Sequence, residues 1–147
     1  MTEMSASAVS AAIDRHKAAL ADGRHLFSAL RMHDVDVDGA DLAIELELDD
    51  TLTNPSGALQ GGLVATLADI VGGRMAMVGL DEGYIVVTSD LTVHYLAGVT
   101  TGPAHAVGRV LRRGKRAVVT RIDVHDGRGG PLAAACTLAF KIVRPPS

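Results

Sequence analysis

The order of periodicities along the chain constrains the fold more than any other feature of the sequence. Residues 61 to 79 carry bulky apolar side chains at helical spacing and are apolar nearly all round, a pattern typical of a buried helix. Four runs with the alternation of β-strands follow, at Tyr84 to Leu96, Pro103 to Arg112, Arg116 to His125 and Leu132 to Val143. Strands joined by short turns can bury one helix only by covering it. The sequence therefore predicts an α+β fold, with an antiparallel β-sheet wrapped around a long central helix.

Two further segments precede the buried helix. Residues 5 to 22 have a helical apolar period, which predicts a peripheral first helix. From residue 35 to residue 50, apolar and polar residues alternate around an Asp-Gly turn. This alternation predicts a hairpin with one face in solvent, and it places Ala43, Glu45 and Glu47 on that face.

Length, charge and cysteine content exclude several classes of protein. The 147 residues suffice for one domain, and we expect a helical segment over residues 1–30 and a folded domain over residues 31–147. A net charge of −3 argues against nucleic acid as a partner. The lone Cys136 cannot form an internal disulfide, and the six histidines lack metal-motif spacing, so we expect no metal or cofactor. No window has the ~18 apolar residues of a membrane span, so we expect a cytoplasmic protein without a membrane partner.

A carboxylate, Asp69, interrupts the apolar pattern of the buried helix. Its neighbours three and four residues away are Ala65, Thr66, Gly72 and Gly73, so it lies on a stripe of small residues. Each glycine inside a helix costs about 1 kcal/mol relative to alanine, which suggests that a ligand, a helix or a strand passes close to this stripe. The pattern leaves open whether Asp69 is a buried, hydrogen-bonded acid, an acid at an exposed seam or a functional group.

The glycine-rich loop before this helix offers a complementary feature. Gly61 and Gly62 open the helix, and free N–H groups at a helix start suit a carbonyl oxygen that becomes an oxyanion. Asp69 lies about 12 Å further along the helix, at about 1.5 Å per residue. The two groups can act together only if a second copy of the chain brings them into register, which predicts a dimer with sites at its interface.

Taken in order, these motifs resemble the PaaI-like (phenylacetate-pathway type) hotdog-fold acyl-CoA thioesterases. The resemblance covers residues 30 to 143 and rests on N-P-x-G-x-x-x-G-G-x-x-x-x-L-x-D from residue 54, on DLTVHYL, and on VLRRGKRAVV. It implies the hotdog fold for residues 31–147, a dimer joined sheet edge to sheet edge, and two such dimers in a homotetramer. It also implies hydrolysis of an acyl-CoA substrate without a cofactor.

The resemblance implies roles for five residues around the helix start. Asp69 corresponds to the family's catalytic carboxylate, acting as general base or as nucleophile, and Gly61 to the backbone donor that polarises the thioester carbonyl. Asn54 would orient water or substrate, and Thr88 would place a hydroxyl near the attacking water. Gln60 stands where the family commonly has histidine, and it keeps a donor and an acceptor but does not titrate near neutral pH.

Two other functions on the same fold remain open at this point. A non-catalytic acyl-CoA or acyl-carrier binding module would bind its ligand without releasing thiol, and Gln60 would then mark the loss of catalysis. A dehydratase or hydratase would need a histidine beside the acid, and position 60 does not supply it. The scarcity of aromatic residues does not decide between aliphatic and aryl acyl groups.

The basic turn RRGKR, residues 112 to 116, has two readings. It is either a solvated hairpin turn or a cluster of cations for the phosphates of coenzyme A. The resemblance favours the second reading, with Arg113, Gly114, Lys115 and Arg116 nearest the nucleotide and Tyr95 lining the path of the pantetheine arm.

Overall fold

The computed structural model describes the backbone of residues 6 to 144 and the side chains of residues 10 to 144. The helices are α1 (Ala6–Ala21) and α2 (Gly61–Met77), with short 3-10 turns at Leu26–Ala29 and Asp50–Leu52. The strands are β1 (Met32–Val35), β2 (Leu42–Leu46), β3 (Ile85–Tyr95), β4 (Ala104–Arg113), β5 (Ala117–Asp126) and β6 (Leu132–Val143). The predicted order of helix, hairpin, helix and four strands is confirmed. The predicted segments also include residues 1–5 and 145–147, which lie outside the described part.

The strands form one antiparallel sheet in the order β1-β2-β4-β5-β6-β3. The helix α2 crosses one face of this sheet, and its buried residues Leu67, Val71 and Met75 pack with strand residues such as Ile122 and Phe140. Burying this apolar stripe is the main stabilisation available to a sheet with one covered face. The predicted α+β architecture is therefore confirmed.

The two helix glycines next to Asp69 differ in their surroundings. A Cβ added at Gly72 would lie 2.9 Å from Phe140 Cε2 and 3.0 Å from Thr120 Oγ1, so α2 approaches the sheet as closely as its backbone allows. A Cβ at Gly73 would meet only Phe140 Cε1, at an ordinary 3.6 Å. A strand therefore accounts for Gly72, whereas the packing of the chain does not require Gly73.

Alanine at these two positions is expected to change stability in opposite directions. Gly73→Ala should raise the free energy of unfolding by about 0.5–1 kcal/mol, because it removes the helix penalty of glycine without a clash. Gly72→Ala should lower it, because overpacking against Phe140 costs about 1–3 kcal/mol. Urea unfolding of the two variants beside the wild type measures both changes, and the same sign in both variants would contradict this packing.

The predicted solvent face of the first hairpin is wrong at Ala43 and Glu45, whereas Glu47, just beyond the end of β2, is exposed as predicted. On β2, Ala43 is 1% exposed and Glu45 is 6% exposed. Glu45 Oε1 lies 2.9 Å from His105 Nδ1 and accepts a hydrogen bond from Arg128 Nε at 3.0 Å, while Oε2 lies 3.3 Å from His33 Nε2. The neighbouring strands supply both histidines, and the turn after β5 brings Arg128 over the carboxylate. Alternation alone cannot predict this cover, because Arg128 is 83 residues away in the sequence.

The cluster around Glu45 predicts a contribution to acid sensitivity. Burial disfavours the ionised carboxyl, but hydrogen bonds from Arg128 and His105 outweigh it, and the pKa of Glu45 lies below its ordinary value. A lowered pKa in the folded state stabilises the fold above the unfolded-state value and is lost as pH falls through the folded-state pKa. Wild type should therefore lose stability more steeply than Glu45→Gln below about pH 4.5. Urea unfolding at several acidic pH values measures the two slopes, and equal slopes would contradict a stabilising ionised Glu45.

Candidate active site

The flank of α2 that carries Asp69 is not fully covered. Asp69 is half-buried, and Met77, two turns further along the helix, is exposed, so the predicted burial of this helix on all sides is wrong. The reason is that β3, which borders this flank, is the edge strand of the sheet. An edge strand leaves the adjoining side of the helix open to solvent or to another molecule.

The hydroxyl of Thr88 on β3 reaches the carboxylate on α2. Thr88 Oγ1 donates to Asp69 Oδ1 at 2.8 Å, so the hydroxyl that we expected near the attacking water contacts the carboxylate of the same chain. Asp69 Oδ2 accepts no hydrogen bond from the described residues. The hydroxyl fixes one carboxylate oxygen, and the other oxygen is available to a water molecule or a substrate.

The other end of β3 lies over the start of α2. The Tyr95 hydroxyl donates to the Gly61 carbonyl oxygen at 2.6 Å, and the Tyr95 ring would be 3.4 Å from a Cβ at Gly61. Gly61 is the first residue of α2, and the first N–H groups of a helix have no intrahelical acceptor. Tyr95 therefore fixes the Gly61–Gly62 peptide, which directly follows the peptide that carries the proposed oxyanion donor, the Gly61 N–H. We expected Tyr95 along the pantetheine path, and its bond to Gly61 was not evident from the sequence.

Two polar side chains that we predicted for the site, Asn54 and Gln60, form hydrogen bonds within their own loop. Asn54 Oδ1 accepts from Ser56 N at 3.0 Å, from Ser56 Oγ at 2.6 Å and from Ala58 N at 3.2 Å. Gln60 precedes α2 and donates from Nε2 to the Thr53 carbonyl oxygen at 3.3 Å. Asn54 thus shapes the turn with its oxygen, whereas the Gln60 side-chain oxygen remains available.

Asp126 fixes the segment of residues 99 to 102, which is hydrogen-bonded to the loop before α2. The sequence analysis missed this role. The Asp126 carboxylate accepts main-chain N–H groups from Thr100 at 3.1 Å, Thr101 at 3.0 Å and Gly102 at 2.8 Å. Burial raises its pKa, but these donors outweigh burial and hold the pKa below the ordinary value. The adjacent Val99 carbonyl accepts from Leu59 N at 2.9 Å, so the clamped segment holds the chain that leads into α2. The Asp-Gly pair in the turn after β5 was the available signal.

The basic turn lies at the opposite end of α2. Arg113 donates to the carbonyl oxygens of Met75 at 2.8 Å and Ala76 at 3.0 Å, so its guanidinium caps the C-terminus of the helix. Gly114 and Lys115 line a cavity of about 280 Å³ together with Tyr84 and other residues. The predicted cluster therefore combines one cation that stabilises the fold with exposed cations on the turn.

The structure gives no support to thiol or metal chemistry in the described part of the chain. Cys136 is buried, and burial raises its pKa to about 11, so its thiol is not an activated nucleophile. Across residues 6 to 144, no three His, Cys, Asp or Glu side chains converge as metal ligands would. Within the same part of the chain, no helix is long and apolar enough to cross a membrane.

Comparison with known proteins identifies the class. The family model described as the Thioesterase superfamily matches residues 56–133, which include α2 and the strands β3, β4 and β5. Human acyl-coenzyme A thioesterase 13 is 31% identical over 91 residues, 61% of this chain and 64% of the human protein, so the match spans less than two thirds of that relative.

Solved structures agree with the family match. The BH2602 protein from Bacillus halodurans, crystallised with CoA, is 27% identical, with a TM-score of 0.71 over 92% of this chain and 88% of that one. A phenylacetic acid degradation-related protein from Ralstonia eutropha, 22% identical, shares the fold with a TM-score of 0.69 over 84% of this chain and 97% of that one. The chain belongs to the Thioesterase superfamily, and the predicted hotdog fold and thioester-hydrolase class are confirmed.

Proposed function

We propose that the protein is an acyl-CoA thioesterase in which Asp69 of one subunit and the Gly61 N–H of a second subunit form one active site. The observation that carries the proposal is the 2.8 Å hydrogen bond from Thr88 to Asp69, placed beside the open edge of the sheet. A carboxylate oriented by a hydroxyl, with its second oxygen free, is arranged to activate water. The CoA found with the Bacillus halodurans structure supports the substrate class.

The edge strand β3 supports the dimer. It is 11 residues long, and its exposed side chains include Val87, Leu91 and Tyr95, at 42%, 40% and 54%. A long edge strand with exposed apolar side chains is a ready template for pairing with another chain. Antiparallel pairing with a second copy about the middle of β3 brings the Thr88 end of one strand toward the Tyr95 end of the other. Asp69 then approaches Gly61 of the second copy, and two such dimers complete the proposed tetramer.

The chemistry follows from these positions. Asp69 takes a proton from a water molecule, the water oxygen attacks the thioester carbonyl carbon, and the Gly61 N–H of the second copy stabilises the oxyanion. Collapse of the tetrahedral intermediate breaks the carbon–sulfur bond, and the CoA thiolate leaves and is protonated. In the nucleophilic alternative, Asp69 attacks the carbonyl itself, and water hydrolyses the resulting anhydride. Thr88 holds the carboxylate in place in both routes.

The exposed turn between β4 and β5 would bind the nucleotide end of CoA. Lys115 and Arg116 are exposed, and neither forms an ion pair with a described residue, so both are available to phosphate oxygens. Arg113 keeps the turn against α2 through its bonds to Met75 and Ala76.

Reversal of one of these charges is expected to weaken CoA recognition. Lys115→Glu should raise KM for acyl-CoA about tenfold, because a charge-assisted phosphate contact is worth about 1.5 kcal/mol or more. The same acyl group on N-acetylcysteamine, which lacks phosphates, is the matched control and should show no change. Steady-state kinetics with both substrates measures the effect, and an equal rise in KM for both would place Lys115 outside the phosphate site.

The direct test of the function is release of free thiol from a panel of aliphatic and aryl acyl-CoAs by the wild-type chain. Turnover of at least one thioester, with saturation in substrate, is the expected result and names the acyl class. Saturable binding of acyl-CoA without thiol release on any member would support the non-catalytic binding module instead.

A further inference from the structure

An apolar cavity of about 530 Å³ lies between α1, the end of α2 and the start of β3. Its aliphatic lining consists of Ala12, Ile13, Met77, Ile85 and Val86, and the exposed residues His16 and Lys17 complete it. Met77 is 52% exposed and Ile13 is 39% exposed, so large apolar side chains face this space without being covered by the chain. The cavity is outside the catalytic set and the basic turn.

The cavity and the proposed catalytic centre both border β3. Val86 lies two residues before Thr88, and because side chains alternate along a strand both point toward α2. Their spacing is about 7 Å at about 3.3 Å per residue. Thr88 bonds to Asp69, and Val86 lines the cavity. One face of the strand therefore borders both the carboxylate and the apolar space.

The distance from Asp69 to the cavity can also be measured along α2. Met77 lies eight residues after Asp69 on α2, about 12 Å along the axis. Between them, Gly73 has no side chain, and only the Phe140 ring would contact a Cβ there. Because position 73 is a glycine, no side chain of that residue stands between Asp69 and the cavity.

We propose that this cavity binds the distal part of a medium- to long-chain aliphatic acyl group whose thioester lies at Asp69. The proposal rests on the proposed function. An extended alkyl chain advances about 1.3 Å per bond, given carbon–carbon bonds of about 1.5 Å, so a reach of about 7–12 Å needs about six to nine bonds. Acetyl and butyryl groups stop short of the aliphatic walls, whereas a dodecanoyl group enters the cavity. Each methylene buried there raises affinity about fourfold.

The test uses thioether analogues, which bind without being hydrolysed. We expect the full-length wild type to bind S-dodecyl-CoA at least tenfold more tightly than S-butyl-CoA, measured by calorimetry. Ala12→Trp fills the cavity from α1 and should reduce this ratio to below threefold. Ala18→Trp adds the same side chain at an exposed position of α1 outside the cavity lining and should leave the ratio unchanged.

The outcomes separate this proposal from the proposed function. Equal affinity of wild type for the two thioethers overturns the acyl cavity, whatever the activity, and a second copy covering the space would give that result. A tenfold ratio that Ala12→Trp and Ala18→Trp leave equally unchanged also overturns it. Tight, Ala12-dependent binding of S-dodecyl-CoA without thiol release from dodecanoyl-CoA supports the cavity and contradicts only the catalytic proposal.

Discussion

Asp69→Asn is expected to lower kcat/KM for thioester hydrolysis by about a hundredfold or more, the usual loss when a positioned general base is removed. Asparagine has nearly the same shape and can still accept the hydrogen bond from Thr88, so the local fold should persist. What it loses is the ability to accept a proton or to attack as an anion. Thiol release from the best substrate of the panel measures the loss.

Asp36→Asn is the matched control for this variant. Asp36 is an exposed acid in the connection between β1 and β2, and the same amide substitution there should leave kcat/KM unchanged. If the Asp69→Asn enzyme keeps more than a tenth of wild-type activity, Asp69 is not the catalytic base or nucleophile.

Gly61→Pro is expected to reduce kcat by about a hundredfold to a thousandfold, because it removes a single backbone donor to the oxyanion. Proline is favoured at the first position of a helix, so this substitution deletes the N–H with little cost to α2. The preceding residue Gln60 has φ −52° and ψ 130°, a conformation compatible with a following proline.

Gly61→Ala is the control that separates the donor from the added bulk. Its Cβ would lie 3.4 Å from the Tyr95 ring, a tight contact that the proline variant shares, but the N–H is retained. We expect Gly61→Ala to keep most of the wild-type kcat. An alanine variant as slow as the proline variant would show that crowding against Tyr95, and not the missing donor, causes the loss.

The fold was predictable because its signals are local. The apolar helical period of residues 61 to 79 and the alternation in the later strands each depend on residues close in the sequence, and both survived in the structure. The solvent face expected for β2 failed because residues far along the chain, His105 and Arg128, cover Glu45. Periodicity reports which residues share a face, but it does not report what the rest of the chain places over that face.

The candidate site, like the fold, was predictable only in part. The resemblance to the thioesterases singled out both Asp69 and Thr88, and the structure places these two residues in hydrogen-bond contact. The bond from Tyr95 to Gly61 and the helix-capping role of Arg113 were missed, because they depend on the distance between elements that are remote in sequence. A charge-rich turn gives no sign of which cation is used to hold the fold. The catalytic roles themselves stay predictions.

Mixing the two inactive variants tests most directly the claim that two subunits share each active site. In a mixed dimer, the Gly61→Pro subunit supplies Asp69 and the Asp69→Asn subunit supplies the Gly61 N–H, so one of the two sites is intact. Random pairing of equal amounts makes about half of the dimers mixed, and thiol release should recover to about a quarter of the wild-type rate. Activity of the co-expressed pair no higher than that of the separate variants would contradict a site shared between subunits.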